Sequence, residues 1–366
     1  MGDVSGLIAR PDGSLVEGRV EFSDRIERLQ PRSVATRDYI LPGLIDLQVN
    51  GTHGMDVMAA SPDDLTDMSL FLAREGVTAY LPTAVTSSLD RIAKVGRAVG
   101  ASLKANQNSS DLASIQGLHL EGPFISPRRL GVHPALTLEP TGENLERVLA
   151  LEHLRLLTLA PELPGAIEAI GRANRRGIAV SIGHTDATLA QAEAAVNSGA
   201  RMFTHVFNAM RPLHHRDPGV IGAALTPSTA FAAVIPDGIH VHPRVLALIY
   251  RVRGAAGMVL TTDKVASDPS TAASLGCASG NGRTAAHNSS GVLAGSLITM
   301  MDGIRLMVTA VGASVGEAAL MAATNPAQVL GVADRGRIEP GCRADLIVID
   351  RELNLKAVFI GGRELD

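Results

Sequence analysis

The chain has 366 residues, of which 46% are hydrophobic and 19% charged, enough to bury a large core. Its formal net charge of -4 gives no global attraction to nucleic acid or an anionic membrane. With no Trp and 3% aromatics it also lacks platforms for stacking single-stranded bases. Cys277 and Cys342 are far apart, which excludes a disulfide framework and argues against a thiolate zinc site. Met1 to Arg10 lack a basic region followed by an apolar core, so no signal peptide is expected. The longest apolar runs stop well short of a membrane span. A reducing cytoplasm is the expected location.

Residues 1 to about 40 read as short strands separated by turns such as Arg10-Pro11-Asp12-Gly13. The first core strand follows at Leu44 to Asn50. Ser61 then caps a helix, with Pro62 at its first position and acids in its first turn. Gly76 ends that helix. A second strand is expected at Val77 to Leu81 and a helix near Ser88 to Lys104. The third strand, Gly117 to Glu121, breaks at Gly122-Pro123. The fourth is Leu154 to Leu159, with a helix near Gly165 to Arg176. The fifth runs from Ile178 to His184, with a helix from Leu189 to Ser198. Met202 to His205 is the sixth and Ala230 to Ile235 the seventh, followed by a helix from Pro243 to Arg251. Met258 to Asp263 is the eighth. Eight alternating β and α units predict a closed (β/α)8 TIM barrel. The Gly-, Ser- and Ala-rich piece from Ser270 to Gly291 reads as a long, mobile loop. Ala344 to Asp350 and Leu355 to Ile360 are further strands. Both chain ends are thus all-β, and they predict a small β-sandwich domain of residues 1–43 and 334–366 beside a barrel of 44–333.

In such a barrel the active site lies at the C-terminal ends of the strands. Gln48 and Asn50 end strand one, Glu121 strand three, His184 strand five, His205 strand six and Asp263 strand eight. A carboxylate at a sheet mouth is costly unless it is paired or binds a cation. One carboxylate and two imidazoles on separate strands form a three-ligand metal site with an open position. His119 shares the face of Glu121, because strand side chains alternate.

These motifs carry a resemblance. Pro42 to Gly51, Gly117 to Phe124, Thr158 to Glu162, Gly183-His184-Thr185, Thr204 to Met210, Pro236 to His240 and Thr262-Asp263 resemble the N-acetylglucosamine-6-phosphate deacetylases. These are a branch of the amidohydrolase superfamily. Asn325-Pro326-Ala327 and Ala344-Asp345-Leu346 extend the match nearly end to end.

The resemblance implies that Glu121, His184 and His205 hold one divalent metal. Zinc suits the set, and iron, manganese or cobalt could also occupy it. Gln48-Val49-Asn50 stands where many superfamily members carry two histidines for a second metal. Ala160-Pro161 stands where binuclear relatives carry a bridging lysine. Asp263 is implied as general base and acid. It would take a proton from the attacking water and pass it to the departing sugar nitrogen. His133 would hydrogen-bond the substrate near the amide. Asn208, Ala209, His240 and Arg216 would contact a 6-phosphate, with Arg216 reaching in from a neighbouring subunit of a homodimer. Gln48, Asn50 and His119 would support the site from behind.

The implied reaction is hydrolysis of N-acetylglucosamine 6-phosphate in amino-sugar catabolism and cell-wall recycling. The alternatives are the N-acetylgalactosamine epimer and a non-catalytic sugar-phosphate binder. Surface positions are expected for His53, His214, His215, His242 and His287. Lys264 departs from the small residue expected after Asp263, and Ser267 to Asn288 match no family motif.

Overall fold

The structure is a computed structural model. It describes residues 2–34, 37–107, 109, 111–266, 279, 280, 283, 284, 286, 287 and 291–365. Most of the loop expected from Ser270 to Gly291 therefore lies outside the described residues, as does Cys277.

Two sheets carry the fold. The first holds β1 (Gly2–Ala9), β2 (Leu15–Phe22), β3 (Ile26–Pro31) and β4 (Tyr39–Pro42). The C-terminal β18 (Leu346–Ile349), β19 (Leu355–Ile360) and β20 (Arg363–Glu364) complete it, in the order β20-β19-β18-β4-β1-β2-β3. The two chain ends thus meet where β18 pairs antiparallel with β4. The expected sandwich takes the form of one continuous sheet that curls over its own core. Phe22 on β2 meets Phe359 on β19 edge to face, with ring centroids 5.4 Å apart. Ile8, Val20, Ile40 and Leu346 pack in the same cluster.

The second sheet is the barrel. Its parallel strands are β5 (Leu44–Val49), β8 (Val77–Val85), β10 (Leu118–Glu121), β11 (Leu154–Leu159), β12 (Ala179–Ile182), β13 (Met202–Phe203), β14 (Phe231–Val234) and β15 (Met258–Leu260). Short β6 (Gly51–Thr52) and β7 (Met55–Asp56) pair with each other above β5, and β9 (Ser114–Ile115) pairs with β8. Around the barrel lie α1 (Pro62–Arg74), α2 (Leu89–Ala105), α3 (Gly142–Leu149), α4 (Ala166–Arg175), α5 (Leu189–Asn197), α6 (Gly219–Leu225) and α7 (Pro243–Arg253). Helix α1 starts as its sequence predicts. Ser61 accepts from Asp64 N at 3.1 Å, and Asp64 reciprocates to Ser61 N at 2.8 Å.

A hairpin of β16 (Ser279–Gly280) and β17 (Arg283–Thr284) precedes α8 (Met300–Leu306), α9 (Val315–Ala319) and α10 (Asn325–Leu330). Ala327, Val329 and Leu330 join Ile45, Leu81, Leu156, Met202 and Val259 in one buried cluster. That cluster closes the end of the barrel opposite the site. Among the described residues no helix is long and apolar enough to cross a membrane.

Strands five, six and eight stop earlier than their apolar runs suggest. His184, His205 and Asp263 lie just beyond them, at φ +47°, +26° and +50°. Non-glycine residues rarely adopt such values, and they cluster at sites where the surroundings impose them. Strand two instead runs on to Val85, past its expected end at Leu81.

Candidate metal centre

Glu121 ends β10 and is 3% exposed. Its Oε1 lies 2.9 Å from His205 Nε2 and 3.3 Å from His184 Nε2. One ligand atom from each of the three residues falls within 4.8 Å of the others, and among the described residues they form the cluster able to hold a metal. The imidazoles stand nearly perpendicular, with ring centroids 5.1 Å apart. His184 Nδ1 lies 2.9 Å from the Arg129 carbonyl, to which it donates. That bond places the ring proton on Nδ1 and leaves the Nε2 lone pair facing Glu121. Arg129 is itself held by Asp186, at 2.9 Å from Nε and 2.6 Å from Nη2. A carboxylate and two imidazole lone pairs converging from separate strands fit a single cation with an open position.

Gln48 donates its amide to Glu121 Oε1 at 2.9 Å. It thus steadies the carboxylate, as a supporting residue would. His133 comes from the other side. Thr86 N donates to its Nδ1 at 3.3 Å, so Nε2 carries the proton and donates to Glu121 Oε2 at 3.2 Å. Burial would raise the Glu121 carboxyl. When the imidazoles carry protons in place of a cation, the charge of His184 and hydrogen bonds from His133, His184 and His205 outweigh it and hold the group well below the usual carboxylate range. Burial likewise lowers His184, while the bond and charge of Glu121 overcome burial to raise His205.

His119 is fully buried between Thr158 Oγ1 at 2.8 Å and Thr83 Oγ1 at 3.3 Å. Burial pushes it down to about 4, so it is neutral and stands outside the ligand set. Asp263 takes a hydrogen bond from Asn50 Nδ2 at 2.6 Å. Burial, then the charge of Glu121, push its carboxyl up to about 6.

A cavity of about 450 Å³ opens above these groups. Asn50, Glu121, His133, His184, His205, Asn208, Ala209, His240 and Asp263 all line it. Arg216 does not belong to this lining. It lies on an exposed loop, with Nη1 2.8 Å from His215 Nε2. His53 stacks on Phe71, His242 caps α7, and His287 turns out to line the cavity rather than the outer surface.

Sequence reasoning missed the partners that hold these groups. Asp237 Oδ2 accepts from His240 Nδ1 at 2.6 Å, and the spacing of Asp237-Gly238-Ile239-His240 was the available signal. Thr86 and the Arg129–Asp186 pair left no pattern, because their contacts are made between different strands and loops.

The chain matches the amidohydrolase family over residues 39–365. It is 39% identical to an N-acetylglucosamine-6-phosphate deacetylase of Danio rerio, over 97% of this chain and 91% of that one. It is 36% identical to an N-acetylgalactosamine-6-phosphate deacetylase of Escherichia coli O157:H7, over 91% and 90%. Among solved structures it resembles a mutant N-acetyl-D-glucosamine-6-phosphate deacetylase from Mycobacterium smegmatis in complex with N-acetyl-D-glucosamine-6-phosphate. The TM-score is 0.87 at 28% identity, covering 99% of this chain and 98% of the other. With this fold, this site and these relatives, the chain belongs to the amidohydrolase family and, within it, to the N-acetylglucosamine-6-phosphate deacetylases.

Proposed function

We propose that this protein hydrolyses the acetamide of N-acetyl-D-glucosamine 6-phosphate to D-glucosamine 6-phosphate and acetate, in amino-sugar catabolism and cell-wall recycling. The observation that carries the reading is the convergence of Glu121 Oε1, His184 Nε2 and His205 Nε2 beside Asp263 in one cavity. Glu121, His184 and His205 would hold one divalent cation, zinc by preference for this donor set. When bound, such a cation polarises the acetamide carbonyl and lowers the pKa of a water towards ~7.

Asp263 takes the proton of the attacking water and returns it to the sugar nitrogen. Without that proton the nitrogen would leave as an amide anion. The Asn50 amide keeps one carboxylate oxygen aimed while the other moves the proton. Asn208, Ala209 and His240 line the cavity, and a side-chain amide, a backbone N–H and an imidazole from them would suit the sugar phosphate. His133, held by Thr86, would orient the amide once its Nε2–H turns from Glu121 to the substrate.

The exposure of Arg216 outside its own cavity supports a homodimer in which each subunit lends this guanidinium to its partner. A cytoplasmic enzyme is in keeping with the buried free thiol of Cys342. The E. coli relative favours one second reading, the galacto epimer as substrate. Acetate release from both epimers, with metal content measured on the same preparation, tests the proposal. Release from neither epimer by metal-loaded protein would overturn it.

A further inference from the structure

The seam between the first and last barrel strands holds a buried ion pair that the hydrolysis itself does not call for. Among the described residues no regular ladder joins β5 to β15, and a single parallel bridge links Val49 to Lys264. Lys264 follows Asp263 but does not line the cavity. Its Nζ lies 2.6 Å from both carboxylate oxygens of Glu75, the residue that caps the C-terminal end of α1. The Lys264 side chain is 5% exposed and that of Glu75 18%. His53 Nε2 stands 3.8 Å from the same carboxylate. Burying such a pair gains little stability, since desolvation cancels much of the attraction.

The backbone of Lys264 shows what the pair secures. Its carbonyl accepts from Asn50 N at 2.7 Å and Gly51 N at 3.1 Å. Asn50, placed by that bond, reaches Asp263 Oδ1 with its side chain at 2.6 Å. On the far side Ser296 N donates to the Asp263 carbonyl at 2.9 Å. Further down the same seam, Asp46 accepts from Thr261 Oγ1 at 2.7 Å and Thr262 Oγ1 at 2.5 Å. Asp263 sits at φ +50°, a conformation a non-glycine residue keeps only when its neighbours over-determine it. Each of these bonds ties strand eight to strand one or to the segment behind it. Lys264 alone among them extends the tie to a helix outside the barrel.

We propose that Lys264, through its ion pair with Glu75, is a positioning residue that fixes the barrel seam and thereby places the Asp263 carboxylate for proton transfer. This rests on the reading of Asp263 as base and acid. The pair acts through the backbones of Asp263 and Asn50, so its loss slows turnover and leaves sugar binding alone.

The test compares Lys264→Met, Glu75→Gln and Lys264→Arg with wild type on N-acetylglucosamine 6-phosphate. Metal content and amide hydrogen exchange at Asn50 and Gly51 are read on the same proteins. The Met and Gln variants should keep the metal and keep KM within about twofold, while kcat falls about tenfold to a hundredfold. Exchange at Asn50 and Gly51 should quicken, and Arg should restore most of kcat. A lowered Tm with kcat unchanged would mean that the pair is merely structural and would overturn the proposal. So would a raised KM at constant kcat. If Lys264→Met fails to fold, Glu75→Gln carries the same comparison with its shape preserved. If wild type itself releases no acetate, the functional reading fails, and exchange still decides the seam. Unchanged exchange in Glu75→Gln would then overturn it.

Discussion

His205 Nε2 lies 2.9 Å from Glu121 Oε1, although the two residues come from strands three and six. Such closeness places a ligand pair around one point, with His184 completing it at 3.3 Å. Glu121→Gln keeps the shape and removes the charge. Losing an outer partner of a ligand costs about 10–100-fold in metal affinity, so losing the ligand itself should cost more. Elemental analysis after dialysis should find the variant nearly metal-free. Full occupancy in Glu121→Gln would remove this residue from the ligand set.

Asp263→Asn should fold, keep its metal and lose turnover by about 10²–10⁴-fold. The amide oxygen can still accept from Asn50, but the group cannot carry a proton. Near-wild-type kcat with unchanged metal would show that another group is the base.

The pH profile follows from the same carboxyl. Burial, then the charge of Glu121, push Asp263 up to about 6. A base works deprotonated, so activity is present above that value and is lost as pH falls through it. A cation at the site would favour the carboxylate, so the acid limb of kcat should lie at or below about 6. The residual activity of Asp263→Asn should lack that limb. An identical limb in the variant would assign the titration elsewhere.

Arg216→Ala should damage phosphate recognition more than chemistry. A charge-assisted contact contributes about 1.5–3 kcal/mol, or about a tenfold to more than hundredfold loss in kcat/KM. The slower reaction on unphosphorylated N-acetylglucosamine should scarcely change. Equal losses on both substrates would refute the phosphate role. In mixed dimers, Asp263→Asn and Arg216→Ala chains should complement each other. Verified mixed dimers without recovered activity would refute the cross-subunit arrangement.

Much of this was legible in the sequence because it follows local rules. Ser61, Pro62 and Asp64 carry the start of α1 in four consecutive residues, and the structure shows that capping box. Apolar runs ending in Glu121, His184 and His205 put three potential ligands at one barrel mouth, where the structure brings them together. Strand ends were less legible. His184, His205 and Asp263 turn inward at positive φ after the ladder has stopped, and an apolar run does not encode that turn. The seam was not legible at all. Glu75 and Lys264 are far apart in sequence; Glu75 alone reads as an ordinary solvated charge, and Lys264 stood out only as a departure from the small residue expected after Asp263. Only closure of the barrel puts the carboxylate 2.6 Å from the ammonium.

The most direct test strips the purified protein with a chelator, then adds back one equivalent of zinc per chain. Acetate release from N-acetylglucosamine 6-phosphate is followed throughout. A single centre should give no release from the stripped protein and full recovery at one equivalent, with no further gain from a second. Undiminished release without metal, or recovery that requires two equivalents, would contradict a single centre built on Glu121, His184 and His205.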